Sequence, residues 1–147
     1  MKALVASDYT PLERIGVTDH PAPAAEPGQV LIKVEAAALN PLDLMLITGA
    51  AKESYPAHHP MVVGMDAAGT VAEVGEGVSG YAPGDPVLAF TGQAGAVAEY
   101  TVASPGPLLA RRPAGWTGRT RPPSPNRGSP PSACCAPSRS PRGRAFW

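Results

Sequence analysis

Short apolar runs separated by Pro and Gly set the pattern of the first 115 positions, and that pattern predicts strands joined by turns. Lys2–Ser7 reads as a first strand and Leu12–Val17 as a second. After a turn at Ala24–Gly28, Gln29–Ala38 is the longest strand. There Val30, Ile32 and Val34 alternate with Leu31, Lys33 and Glu35, so the first set can face a core while Lys33 and Glu35 reach water. Asn40-Pro41 then changes the period. Asn caps helices and Pro fits the first helical position, so Leu42, Leu44, Leu46 and Ile47 read as a short helix that Gly49 ends. Ala51–Met61, with Pro56 and Pro60, reads as loop. Val62–Val63 and Ala67–Val74 are strands on either side of Gly64. Pro83-Gly84-Asp85 is a turn before the strand Pro86–Phe90, and Ala96–Ala103 and Leu108–Ala110 complete the set. Many short strands, one or two short helices and no repeat predict a mainly β fold, closed as a small, partly open barrel.

Composition divides the 147 residues in two. Up to Gly115 there are 6 basic and 12 acidic side chains; from Trp116 to Trp147 there are 6 arginines and no acid, so the overall net charge is zero. The first segment, 1–115, has five aromatic residues, which leaves Val, Leu, Ile and Ala to build its core. The second, 116–147, holds 7 prolines and 5 serines and no aliphatic side chain larger than Ala. Such a composition cannot bury enough apolar area to offset its ordering entropy, so this segment is expected to be disordered. Its arginines, Arg119, Arg121, Arg127, Arg139, Arg142 and Arg144, allow a second reading: a basic arm for nucleic acid or acidic partners. Nucleic acid is the weaker expectation, because Trp116, Phe146 and Trp147 lie at the ends of the segment and are not interleaved with the arginines.

No apolar run approaches the roughly 18 residues of a membrane span. Asp8 follows Met1 too closely for a secretory apolar region. Cys134 and Cys135 are adjacent, so they cannot staple a framework or supply a tetrahedral zinc site. A cytoplasmic, reducing location is the expectation. Gly75-Glu-Gly77-Val-Ser-Gly80 matches the dinucleotide pattern G-x-G-x-x-G, but Tyr81-Ala-Pro83-Gly84-Asp85 prevents the helix that would hold a pyrophosphate. A glycine-rich turn between strands is expected instead.

Four blocks stand in order: Gly28–Asp43, Gly64-Met-Asp66-Ala-Ala-Gly69-Thr-Val-Ala-Glu-Val-Gly75, Pro83-Gly84-Asp85-Pro-Val, and Ala98-Glu99-Tyr100. Together they resemble the N-terminal, GroES-like domain of the medium-chain dehydrogenase/reductase superfamily, in its zinc-independent branch of quinone oxidoreductases and enoyl-type reductases. The resemblance runs from Met1 to about Gly115. It implies a partly open β-barrel that forms one wall of a cleft, with NADPH held by a following Rossmann domain and hydride passing to a quinone or an α,β-unsaturated carbonyl. Members are often homodimers. The barrel fold also recurs without catalysis, so a non-catalytic binding module is the alternative.

The same resemblance bears on the site. Zinc-dependent relatives carry Cys, His and Glu where this chain has Asn40, Met65 and Asp66, a set that cannot hold zinc. His58 and His59 are adjacent on a Pro-flanked loop with no third ligand in view, and read as solvated. No zinc is expected. Asn40, Asp43, Met65 and Asp66 are the candidate cleft residues. Asn40 can donate its amide to a carbonyl oxygen or the nicotinamide ribose, or cap the helix. Asp43 is expected to be structural, and Asp66 to hydrogen-bond the barrel backbone. Tyr55, on the loop that lines the cleft in relatives, is the candidate proton donor.

After Gly115 the family pattern stops. Reading the tail codons one base earlier, with GC-rich choices at free positions, gives L-D-G-P-D-A-A-A-V-P-E-P-G-L-T-A-L-C-L-L-R-A, which resembles the superfamily's approach to its Rossmann domain. The tail is therefore expected to be out of frame. The chain as it stands is expected to be a truncated reductase without activity of its own.

Overall fold

The computed structural model describes residues 1–113 and Gly115. The strands are β1 (Lys2–Ala6), β2 (Gly16–Asp19), β3 (Val30–Ala38), β4 (Met61–Val62), β5 (Asp66–Val74), β6 (Pro86–Phe90), β7 (Tyr100–Ala103) and β8 (Leu109–Arg111), with one α-helix, α1 (Pro41–Thr48), between β3 and β4. They form a three-stranded sheet in the order β2-β1-β4 and a five-stranded sheet in the order β7-β3-β5-β6-β8, antiparallel throughout. The two sheets do not close a ring among the described residues, and the fold is mainly β and partly open, as the turn-punctuated sequence predicts. The disorder expected of residues 116–147 lies outside the described residues.

The alternation in β3 is realised. Val30 and Ile32 are wholly buried, Val34 nearly so, and Lys33 and Glu35 are exposed. The buried set packs on Val71, Val87, Ala89 and Leu109 from the neighbouring strands. A second cluster lies under α1, where Leu46 and Ile47 meet Ala6, Met61, Val63 and Met65. These clusters are aliphatic, and they account for most of the driving force that holds the sheets together.

Two strand expectations are corrected. Leu12–Val17 is not one strand: Leu12–Arg14 is a 3₁₀ turn, and pairing begins only at Gly16. The register, Lys2 opposite Asp19 through Val5 opposite Gly16, leaves Leu12–Arg14 past the end of β1 with no strand to pair with. Ala96–Ala103 is likewise divided. Only Tyr100–Ala103 runs beside β3. The residues before it tie the two sheets together: Val97 N–H donates to Val63 O, Leu4 N–H to Val97 O, and Val34 N–H to Glu99 O. An extended segment that serves both sheets cannot be a continuous strand of either.

The glycine run forms the expected turn. Gly77 and Gly80 have positive φ, and the next element is β6, not a helix. Gly75 sits so close to the Glu26–Gln29 turn that a Cβ there would collide with Glu26 O. Only glycine fits, for reasons of packing rather than phosphate binding.

Candidate functional site

The end of β3, the start of α1 and the start of β5 come together, and a pair of side chains fixes them. Asn40 has extended backbone angles, and its Oδ1 accepts Leu42 N–H at 2.9 Å. Asp43 returns the contact, its Oδ2 accepting Asn40 N–H at 2.8 Å. This is a reciprocal capping box, with Pro41 at the first helical position. Gly49, with φ +75°, closes the other end of the helix.

Asp43 has a second task. Its Oδ1 accepts Gly64 N–H at 3.1 Å, so one buried carboxylate joins the helix start to the segment that leads into β5. Gly64 has φ +90°, and a Cβ there would lie 2.8 Å from Val97 Cγ2. The next residue, Met65, offers its carbonyl to Thr91 twice: N–H at 2.6 Å and Oγ1 at 3.1 Å. Asp66 then opens β5 between Ala38 of β3 and Phe90 of β6.

These contacts sort the candidate residues. Asn40 is half-buried at the end of the sheet, and its cap settles the orientation of its amide. A backbone N–H must meet the oxygen, so the NH2 points elsewhere, with no partner among the described residues. Capping and ligand contact are therefore compatible roles for the one side chain. Asp43 is buried and structural. Met65 faces the aliphatic cluster under α1, not a cleft. Asp66 is exposed, and no hydrogen bond to the barrel backbone is made by its side chain among the described residues, contrary to the sequence expectation. At the start of β5 its strand neighbours are Ala38 and Phe90, and the Phe90 N–H already donates to Leu108 O at 2.8 Å. Tyr55 is 57% exposed on the loop after α1, and no hydrogen bond joins its hydroxyl to Asn40 or Asp66.

His58 and His59 do not converge on a metal site. His58 N–H donates to Gln93 Oε1 at 3.3 Å, while His59 Nδ1 lies 3.2 Å from Ala6 O with the Tyr9 ring edge-on beside it. Among the described residues no group of three His, Cys, Asp or Glu side chains is placed to hold a metal ion. Asn40, Met65 and Asp66 offer one amide, one buried thioether and one carboxylate, a donor set that does not fit zinc. The sequence reading missed the Asp43–Gly64 link and the role of Thr91. The spacing Asn40-x-x-Asp43 does signal the capping box, but no local pattern signals the partner 21 residues away.

A mainly β, partly open barrel of two antiparallel sheets, with a capped helix following β3, has the form of a GroES-like domain. The pattern of the alcohol dehydrogenase GroES-like domain matches residues 26–113, and the chain belongs to that family. A chloroplastic quinone-oxidoreductase QR1 of Triphysaria versicolor is 42% identical over 86 residues, which is 57% of this chain and 26% of that protein. The trans-enoyl reductase FMN2 of Fusarium mangiferae is 42% identical over 83 residues, 56% of this chain and 21% of that protein. A mycobacterial structure complexed with NADPH superposes with a TM-score of 0.69 at 31% identity, over 80% of this chain and 35% of that one. Such relatives are quinone oxidoreductases and enoyl reductases of the medium-chain dehydrogenase/reductase superfamily. The match takes in about a quarter of the length of the curated relatives. No helix among the described residues is long and apolar enough to cross a membrane.

Proposed function

We propose that residues 1–115 are the substrate-side domain of a zinc-independent, NADPH-dependent reductase of quinones or α,β-unsaturated carbonyls, working in the cytoplasm. The observation that carries this reading is the Asn40 amide, whose oxygen is held by the helix cap and whose NH2 has no partner among the described residues. NADPH supplies the hydride when bound. Hydride arriving at the β-carbon of an enone, or at a quinone ring, leaves negative charge on the substrate oxygen. A pre-aimed N–H donor stabilises that charge without reorganising, and Asn40 has that form. Asp43 keeps Asn40 aimed through the reciprocal cap. Tyr55 is the residue proposed to return a proton, from its exposed loop.

The described residues do not themselves supply a phosphate cradle: the one glycine run that could is a turn between β5 and β6. We therefore propose that the nucleotide is held by polypeptide beyond this barrel, and that residues 116–147 represent a shifted reading frame. The test is to resequence the coding DNA across codons 113 to 118 and to assay NADPH oxidation with a naphthoquinone and an enone. The expected result is no oxidation by the 147-residue chain and clear oxidation by the protein encoded in the restored frame. Substrate-dependent oxidation by the 147-residue chain alone would defeat the proposal.

A further inference from the structure

The residues between α1 and β4 carry Tyr55, and three consecutive backbone groups just after it are held by side chains alone. Pro56 O accepts Gln93 Nε2 at 3.0 Å, and His58 N–H donates to Gln93 Oε1 at 3.3 Å. Between them, Ala57 N–H donates to the Tyr9 hydroxyl at 3.3 Å. No backbone group meets any of the three among the described residues. The Gln93 carboxamide thus offers one donor and one acceptor to two peptide groups, as a paired strand would. Its orientation is forced, because the NH2 must meet a carbonyl and the oxygen must meet an N–H.

Both holders are themselves fixed. Thr10 N–H donates to Ile47 O at 2.9 Å, and a Cβ on Gly49 would lie 3.0 Å from Tyr9 Cδ1, so Tyr9 stays against the end of α1. Gln93 sits in the 3₁₀ turn Gly92–Ala94 between β6 and β7. Thr91, just before that turn, holds Met65 O through its N–H and its Oγ1. Met65 follows the Gly64 that Asp43 holds, and Asp43 also holds Asn40. One turn therefore braces both halves of the proposed site: Thr91 the Asn40 corner, Gln93 the loop of Tyr55.

We infer, on the reading of Tyr55 as the proton donor, that Gln93 is the positioning residue for Tyr55. Its carboxamide sets where the loop stands relative to Asn40. Gln93 is exposed, so its side chain fills no core, and its two hydrogen bonds to the loop are what it contributes. The first of them falls on Pro56, the residue next to Tyr55. A proton donor acts only when its oxygen is within hydrogen-bond reach of the atom it serves, and a displacement of about 1 Å can cost about 10²-fold in rate. Releasing the loop therefore reaches the chemistry without disturbing the sheets.

Amide hydrogen exchange in the 147-residue chain tests the hold itself. In Gln93→Ala the His58 N–H is expected to exchange about tenfold faster than in the parent, with the β3 amides unchanged. Gln93→Glu adds a pH profile that a space-filling side chain lacks. At neutral pH its carboxylate has no proton for Pro56 O, and exchange is fast. As pH falls through the usual glutamate value of about 4.3, the carboxyl regains a donor and the rate relative to the parent returns toward one. Kinetics tests the consequence. In a full-length reductase of the proposed kind that carries this domain, Tyr55→Phe is expected to lower kcat about 10²-fold. Gln93→Ala is expected to lower it about tenfold with KM nearly unchanged, and to add nothing in the Tyr55→Phe background. Unchanged His58 exchange in Gln93→Ala, or no recovery of Gln93→Glu in acid, overturns the inference and leaves the reading of Tyr55 standing. So does an unchanged kcat in Gln93→Ala, or a loss that adds to that of Tyr55→Phe. An unaltered kcat in Tyr55→Phe overturns the proton-donor reading, and the inference with it.

Discussion

The Asp43 carboxylate accepts the Gly64 N–H at 3.1 Å while its other oxygen accepts the Asn40 N–H at 2.8 Å. A single side chain, 1% exposed, thus fixes the entry to α1 and the entry to β5 against one another. It does so across a segment that reads as loop, and so the geometry of Asn40 depends on a residue that touches no ligand.

Removing this carboxylate leaves two backbone N–H groups without an acceptor. Asp43→Ala is expected to destabilise the fold by about 3 kcal/mol, the sum expected for a lost cap and a lost charge-assisted hydrogen bond. Asp43→Asn keeps one acceptor oxygen and is expected to cost about half as much. Urea denaturation at constant m-value reads both. A loss below about 0.5 kcal/mol for the alanine variant would show that neither contact matters to stability.

Gly64→Ala tests the same corner sterically. Its φ of +90° disfavours any Cβ, and the new methyl would meet Val97 Cγ2 at 2.8 Å. The expected cost is about 2–3 kcal/mol, part of it backbone strain and part of it the clash. Adding Val97→Ala relieves only the clash. A double-mutant cycle is therefore expected to show favourable coupling, with the strain remaining; strict additivity would mean that the two residues do not press on one another.

The strands and the site differ in how far the sequence shows them. The alternation from Val30 to Glu35 carries β3 because a two-residue period has only one reading when Lys33 and Glu35 must reach water. Asn40-Pro41 carries α1 because capping chemistry is local. The segment from Ala96 to Glu99 is equally apolar, yet its role depends on Lys2, Leu4, Val34 and Val63, all remote in the chain. Met65 and Asp66 are adjacent in sequence, but one is packed under α1 and the other is exposed, an outcome set by how β5 enters the sheet. Asp43 could be assigned to the helix cap from spacing alone; its bond to Gly64 could not.

Acid should weaken one surface contact. Lys2 Nζ lies 2.7 Å from Asp19, and this hydrogen bond and the lysine charge hold the Asp19 carboxyl below the ordinary carboxylate value. A carboxyl lowered in the folded state contributes stability above its unfolded pKa and loses it as pH falls through the folded one. Both partners are exposed, so the effect on stability is small and screened by salt. NMR titration of the Asp19 side-chain carboxyl is expected to give a midpoint below that of an exposed aspartate, rising in Lys2→Met and at high salt. An unchanged midpoint in the Lys2 variant would assign the shift to another cause.

Asn40 joins fold to proposed chemistry, and its two ends can be tested separately. Asp, Ser and Asn cap helices about equally well, whereas Ala costs about 1 kcal/mol. Asn40→Asp and Asn40→Ser are therefore expected to unfold within about 0.5 kcal/mol of the parent, and Asn40→Ala about 1 kcal/mol below it. The NH2 end behaves differently, since Asp offers no donor there at neutral pH. In a full-length reductase of the proposed kind that carries this domain, Asn40→Asp is expected to lower kcat about 10²-fold, the effect of losing one oxyanion donor, with little change in stability. Asn40→Ser puts its oxygen in the cap as an acceptor, and its shorter side chain does not carry a donor as far out as the amide NH2, so it is expected to fall almost as far. Full activity in the Asp variant, with the cap intact, would mean that Asn40 serves the helix alone and that the charge on the substrate oxygen is met by another group.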